Sequence, residues 1–137
     1  MRTGKDVEAY LLRLNRNFQA IDAGAPTFLV QSSGHMPAIA IRVDPPLVVV
    51  RVHIGDLEKG AAPLALLRAL LELNARQLVH SSYGLDDDRV VLSSALELEN
   101  LDFNELQATL DEIDVALAQQ LPELARLAKD SLKTKVS

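Results

Sequence analysis

The stretch Ala38-Ile39-Ala40-Ile41-Arg42-Val43-Asp44-Pro45-Pro46-Leu47-Val48-Val49-Val50-Arg51-Val52-His53-Ile54 decides the fold class. Its first six residues alternate, with Ile39, Ile41 and Val43 set against Ala38, Ala40 and Arg42. Asp44-Pro45-Pro46 must turn the chain, because two prolines cannot donate to a β-ladder. Leu47–Ile54 then sets Val48, Val50, Val52 and Ile54 against Leu47, Val49, Arg51 and His53. Successive side chains of a strand point to opposite faces. Two neighbouring strands therefore share one wholly apolar face and one mixed face, which predicts an antiparallel sheet covered on one side only.

Upstream, Thr27–Gln31 is a shorter strand candidate closed by the turn cluster Ser32-Ser33-Gly34-His35. Ahead of it, Thr3 with Asp6 is a helix-start signal. Val7, Tyr10, Leu11, Leu14, Phe18 and Ile21 recur at steps of three and four, predicting one helix that stops at Ala23-Gly24-Ala25-Pro26.

Downstream, Gly55–Gly60 reads as a loop and Pro63 opens a second helix that runs to about Leu78. At about 100° per residue, Leu64, Leu67, Leu71 and Leu78 make one face, and Leu66, Leu70 and Leu73 make another. Such a helix needs cover on two sides. The reading sets Leu67 and Leu71 on the sheet. Leu66, Leu70 and Leu73 are left for the first helix or for a second copy of the chain across a two-fold axis; the expectation is a homodimer with these three leucines at its interface.

Val79–Tyr83 and Arg89–Leu98 predict a hairpin around Gly84-Leu85-Asp86-Asp87-Asp88, with Val90, Leu92, Leu96 and Leu98 facing the core. A last helix begins at Asp102, with Glu105 three residues on. Phe103, Leu106, Leu110, Ile113, Leu117 and Leu121 form its stripe, Leu124 and Leu127 extend it, and Pro122 predicts a break or kink. Residues 131–137 read as a flexible tail. The expected order is α-β-β-β-α-β-β-α in a single domain over residues 1–130. This is an α+β fold, an antiparallel sheet with helices packed on one face.

A chain of 137 residues that is 48% hydrophobic can bury a core without covalent staples. It has no cysteine, which excludes disulfides, thiolate catalysis and cysteine zinc sites. No apolar run approaches the roughly 18 residues that cross a bilayer, and the charged Met1–Asp6 is not followed by a signal-peptide core. The expectation is a cytoplasmic protein with no membrane partner. The net charge of −5 is unevenly spread. Residues 86–123 hold eleven acids against Arg89 alone, a stretch that repels phosphate backbones, and no basic run is interleaved with aromatics. No nucleic-acid partner is expected.

Catalytic groups are scarce. His35, His53 and His80 fall on a turn and two strands, without metal-ligand spacing. Asp86-Asp87-Asp88 lacks the alternation and the distal Glu of a calcium loop, so it reads as a solvated turn. Ser32-Ser33, Ser81-Ser82 and Ser93-Ser94 have no nucleophile-elbow context. No enzyme, metal or cofactor is expected. What remains is binding. On the mixed sheet face Ala38, Ala40, Val49, Ser93 and Ala95 make a low floor edged by Arg42, Arg51, His53 and Glu97. Small side chains let another backbone approach closely, so Ala40, Arg42, Val49, Arg51, His53 and Ala95 are the candidate client-binding residues.

Four segments carry a family resemblance: Leu70-Leu71-Glu72-Leu73-Asn74, Tyr83-Gly84-Leu85-Asp86, Val90-Val91-Leu92 and Leu101-Asp102-Phe103-Asn104-Glu105-Leu106. With the element order, they make the chain resemble the type III secretion chaperone-like superfamily, in particular YbjN-type proteins and their Tir-chaperone (CesT-like) relatives. The resemblance implies a non-enzymatic protein that dimerises and binds other polypeptides. Members tied to secretion hold the N-terminal segment of an effector in extended form, whereas YbjN-type members are linked to regulation or to assisting other proteins. Arg42, Arg51 and Glu97 depart from the more apolar client surface of the secretion chaperones. The alternative role is a regulatory small-ligand-binding domain of the same fold.

Overall fold

A computed structural model describes residues 2–136 apart from Ala23 and Ser33, with side chains described as far as Lys129. Met1 of the charged N-terminus, Ala23 and Ser33 of two expected turns, and Ser137 of the expected tail lie outside the described residues. The elements run α1 (Gly4–Arg13), β1 (Phe18–Asp22), β2 (Pro26–Val30), β3 (Ile39–Asp44), β4 (Leu47–Asp56), α2 (Leu64–Arg76), β5 (Ser82–Asp86), β6 (Arg89–Glu97) and α3 (Phe103–Val136). All strand pairings are antiparallel, in the order β1-β2-β3-β4-β6-β5. The α+β class with helices on one sheet face is as the alternation predicts.

The first helix is shorter than its stripe suggests. Thr3 caps it as expected: its hydroxyl accepts from the Lys5 N–H, and its own N–H donates to Asp6. It ends at Arg13 because Asn15 takes φ 58°. The Asn15 N–H then donates to the Leu12 carbonyl and the Arg16 N–H to the Leu11 carbonyl. These two bonds close a helix end around a left-handed residue, a position that asparagine tolerates. Phe18 and Ile21, read as the helix's last apolar positions, instead begin an additional strand, β1.

The core is one layer between the sheet and the helices. Ile39, Ile41 and Val43 of β3, Val48, Val50 and Val52 of β4, and Val90 and Leu92 of β6 are buried. They meet Val7 and Leu11 of α1, Leu66 and Leu70 of α2, and Leu106, Leu110, Ile113 and Leu117 of α3. α1 is pinned on the start of α3. The Leu101 carbonyl accepts from Arg2 Nε at 3.1 Å and from the Tyr10 hydroxyl at 3.2 Å. The Arg13 guanidinium lies 3.9 Å from the Phe103 ring centre, and Arg16 pairs with Asp114 at 2.6 Å.

Several expectations shift. The last hairpin turns on Asp87-Asp88 alone, with Asp87 at φ 56°, so β5 begins at Ser82 rather than Val79. α3 runs through Pro122 without interruption, from Phe103 to Val136. The two leucine faces of α2 are exchanged. Leu66 and Leu70 are only 2% and 4% exposed and sit in the core, while Leu64 and Leu71 are 81% and 69% exposed. Leu66 and Leu70 are thus unavailable to the homodimer interface expected of them, and Leu73 packs partly against the core. The leucine spacing marks both faces equally. The rotation is set by Asn74, which donates from Nδ2 to the Tyr83 carbonyl at 3.1 Å and accepts from its N–H at 2.7 Å.

Candidate functional site

The sheet face opposite the helices carries the candidate residues, and strand register arranges them in rows. One row is Thr27, Arg42, Val49 and Ala95; the next is Leu29, Ala40, Arg51, Ser93 and Ser82. His53, Val91 and Gly84 follow. The structure therefore brings Ala40, Arg42, Val49, Arg51, His53 and Ala95 together on one face. Arg42, Arg51, His53 and Ala95 are exposed, whereas Ala40 and Val49 are half-buried between them. A shallow groove of about 520 Å³ crosses this face, bounded by Val49, Arg51, Ser93 and Ala95 and by His80 and Ser82 at the sheet margin.

Two side-chain pairs organise one end of the face. Arg51 Nη1 donates to Asp86 Oδ2 at 3.0 Å, and His53 Nε2 lies 3.1 Å from Asp56 Oδ1. A bulge between His53 and Gly55 restores Asp56 to the open side, opposite Arg89. The sequence reading places Asp86 in a solvated turn and misses its partnership with Arg51, because a turn three residues shorter carries it into β5. It also misses Ile21, Thr27 and Leu29, which extend the face across β1 and β2.

The two sheet edges differ. At β5, Asn74 occupies both backbone groups of Tyr83 as a neighbouring strand would, which blunts that edge. Glu112 of α3 holds the chain just before it, accepting from the Val79 N–H at 2.6 Å, the His80 N–H at 2.8 Å and the Ser81 hydroxyl at 2.8 Å. Burial alone raises the Glu112 carboxyl. The bonds from Val79, Ser81 and His80, with the attraction of His80, outweigh it and hold the group below the usual carboxylate range. At the other margin, β1 pairs with β2 alone among the described residues.

Elsewhere, a hollow of about 390 Å³ lies between α2 and α3, where the Tyr83 hydroxyl donates to Gln120 Oε1 at 2.6 Å. Among the described residues, no group of three or more histidines or acids could hold a metal ion. None of the described helices is long and apolar enough to cross a membrane.

The family model CesT_Tir_1 matches residues 1–130, nearly the whole chain. The chain belongs to the CesT_Tir_1 family of type III chaperones. Its fold is shared with a chain of the heterodimeric ExoU–SpcU complex from the type III secretion system of Pseudomonas aeruginosa. The TM-score is 0.65 at 18% identity, over 85% of this chain and 95% of that one. YbjN from E. coli, described as a putative transcription regulator, aligns with TM-score 0.60 at 12% identity, over 85% of this chain and 92% of its own. At these identities the neighbours speak for the fold. No curated protein matches. The CesT_Tir_1 membership agrees with the resemblance carried by Leu70–Asn74, Tyr83–Asp86 and Leu101–Leu106, and the structure gives Asn74 and Tyr83 of those motifs a shared structural task. The family supports a chaperone-like, client-binding role.

Proposed function

We propose that this protein is a non-enzymatic, cytoplasmic polypeptide-binding chaperone that holds an extended segment of a client protein on its open sheet face. The observation that carries this reading is the uncovered six-stranded sheet, whose floor of Ala40, Val49, Ser93 and Ala95 leaves backbone within reach. Val49, Thr27 and Leu29 supply apolar contact, and Arg42 and Arg51 supply charge. Membership of a type III chaperone family supports a protein client, and the ExoU–SpcU neighbour is itself a heterodimeric complex. Extended segments suit such a surface because alternate side chains point down to it.

The protein also self-associates in this reading, through the outward face of α2. Leu64, Leu67 and Leu71 recur at steps of three and four on a face that does not enter the core. A two-fold pairing of that stripe would bury it.

A photo-crosslinking amino acid at Ala95 tests the client site, with the same group at exposed Ala118 on α3 as the control. In lysate from the cell of origin, Ala95 is expected to capture a defined polypeptide and Ala118 not to. Capture from Ala118 alone would move the site to α3.

A further inference from the structure

The open face has a charge order along its strands. The first row across the sheet, Asp44, Leu47 and Glu97, is acidic. The next two carry Arg42 and Arg51, diagonal neighbours on adjacent strands. The row of His53, Val91 and Gly84 has no formal charge with His53 neutral, and the last row, Asp56, Arg89 and Asp86, carries a net negative charge. Acids therefore stand at both ends and arginines in the middle. Successive rows of one face are about 6.8 Å apart, twice the rise per residue. That is also the spacing of alternate residues in an extended chain lying along the strands.

Arg51 is not idle. Val91 is 7% exposed although its register puts it on the open face, and it lies outside the apolar core cluster. The Arg51–Asp86 pair spans from the row of Ser93 to the row of Arg89, passing over Val91 and over Gly84, which has no side chain. By register the pair lies across Val91, with His53 directly opposite it. Both members are about half exposed, so the pair is held weakly and can be exchanged for another carboxylate at little cost.

We propose that the segment bound on the open face carries acidic side chains at its centre and basic ones at its ends, and that it takes Arg51 from Asp86 as it docks. This rests on the sheet-face reading above and names the partner's chemistry. Charge complementarity selects the occupant: central acids meet Arg42 and Arg51, and terminal bases meet Asp44 with Glu97 at one end and Asp56 at the other. Release of the pair leaves Val91 more open as added apolar contact. A second copy of this chain is the poorer occupant, because a two-fold axis through the face sets arginine rows against arginine rows.

Two end-blocked peptides of identical composition and zero net charge test it: Lys-Ser-Glu-Ser-Glu-Ser-Thr-Ser-Lys and its inversion Glu-Ser-Lys-Ser-Lys-Ser-Thr-Ser-Glu. Each is titrated into the protein while the amide NMR signals of β3, β4 and β6 are followed. The basic-ended peptide is expected to bind at least ten-fold tighter, with the gap narrowing in high salt. Asp86→Asn is expected to tighten that peptide several-fold, and Arg42→Gln to erase its preference. Equal affinity, or tighter binding of the inverted peptide, overturns the charge order and leaves the sheet-face reading standing. Weaker binding by Asp86→Asn overturns the release of Arg51. If neither peptide moves an open-face amide, both the charge order and the sheet-face reading fall.

Discussion

Asn74 on α2 grips Tyr83 on β5 by both backbone groups, at 3.1 Å to the carbonyl and 2.7 Å from the N–H. One side chain thereby sets the rotation of the helix and closes the edge of the sheet. Asn74→Ala is expected to cost about 2 kcal/mol, since it leaves two backbone groups of a part-buried strand without partners. Urea unfolding measures it. A loss below a few tenths of a kcal/mol would show that water replaces the amide freely.

The rotation of α2 predicts opposite outcomes for neighbouring leucines. Leu70→Ala opens a cavity in the core and is expected to cost about 2–5 kcal/mol, whereas Leu71→Ala is expected to change monomer stability by less than about 0.5 kcal/mol. Leu71→Glu is expected to shift light scattering toward the monomer, as the proposed self-association requires. A wild-type protein that is monomeric at every concentration contradicts that proposal.

The sheet was legible because its signal has period two and is strong in Ala38–Ile54, where inner and outer residues hardly overlap in type. The rows of the candidate site follow from the same alternation, which is why six residues from three strands were assigned to one face. The length of α1 was not legible from periodicity, since Leu14, Phe18 and Ile21 fit a helical stripe equally well. Asn15 was the available stop signal, asparagine being one of the few residues at ease in the left-handed region. The inward face of α2 was not legible either, because a helix with two leucine faces does not encode its own rotation.

Acid is expected to loosen the join between α3 and the segment before β5. The Glu112 carboxyl is held below its usual range by its hydrogen bonds, so the folded state binds its proton less readily than the unfolded state. The stability it contributes is present above the unfolded carboxylate range and is lost as pH falls through the lower folded value. Glu112→Gln should flatten this part of the acid limb in pH-dependent unfolding. An unchanged acid limb would show that the three bonds do not favour the ionised form.

Alkali acts through Tyr83, whose hydroxyl burial pushes up to about 12. The folded state keeps the proton where the unfolded chain has lost it. This stability is complete below the usual tyrosine value of about 10 and is lost as pH rises from there through the folded value. Tyr83→Phe should reduce the fall in stability over that window. At neutral pH it should cost about 1 kcal/mol for the lost bond to Gln120. Titration of Tyr83 by its ultraviolet absorbance near the ordinary tyrosine value would contradict the burial argument.

Hydrogen exchange on the protein with and without the client captured from position 95 tests the polypeptide-binding reading most directly. The account predicts added protection in β3, β4 and β6, centred on the rows of Arg42 and Arg51, with the outer face of α3 unchanged. Protection confined to Asp102–Leu121, with the strands exchanging as before, would contradict it and make the last helix the binding surface.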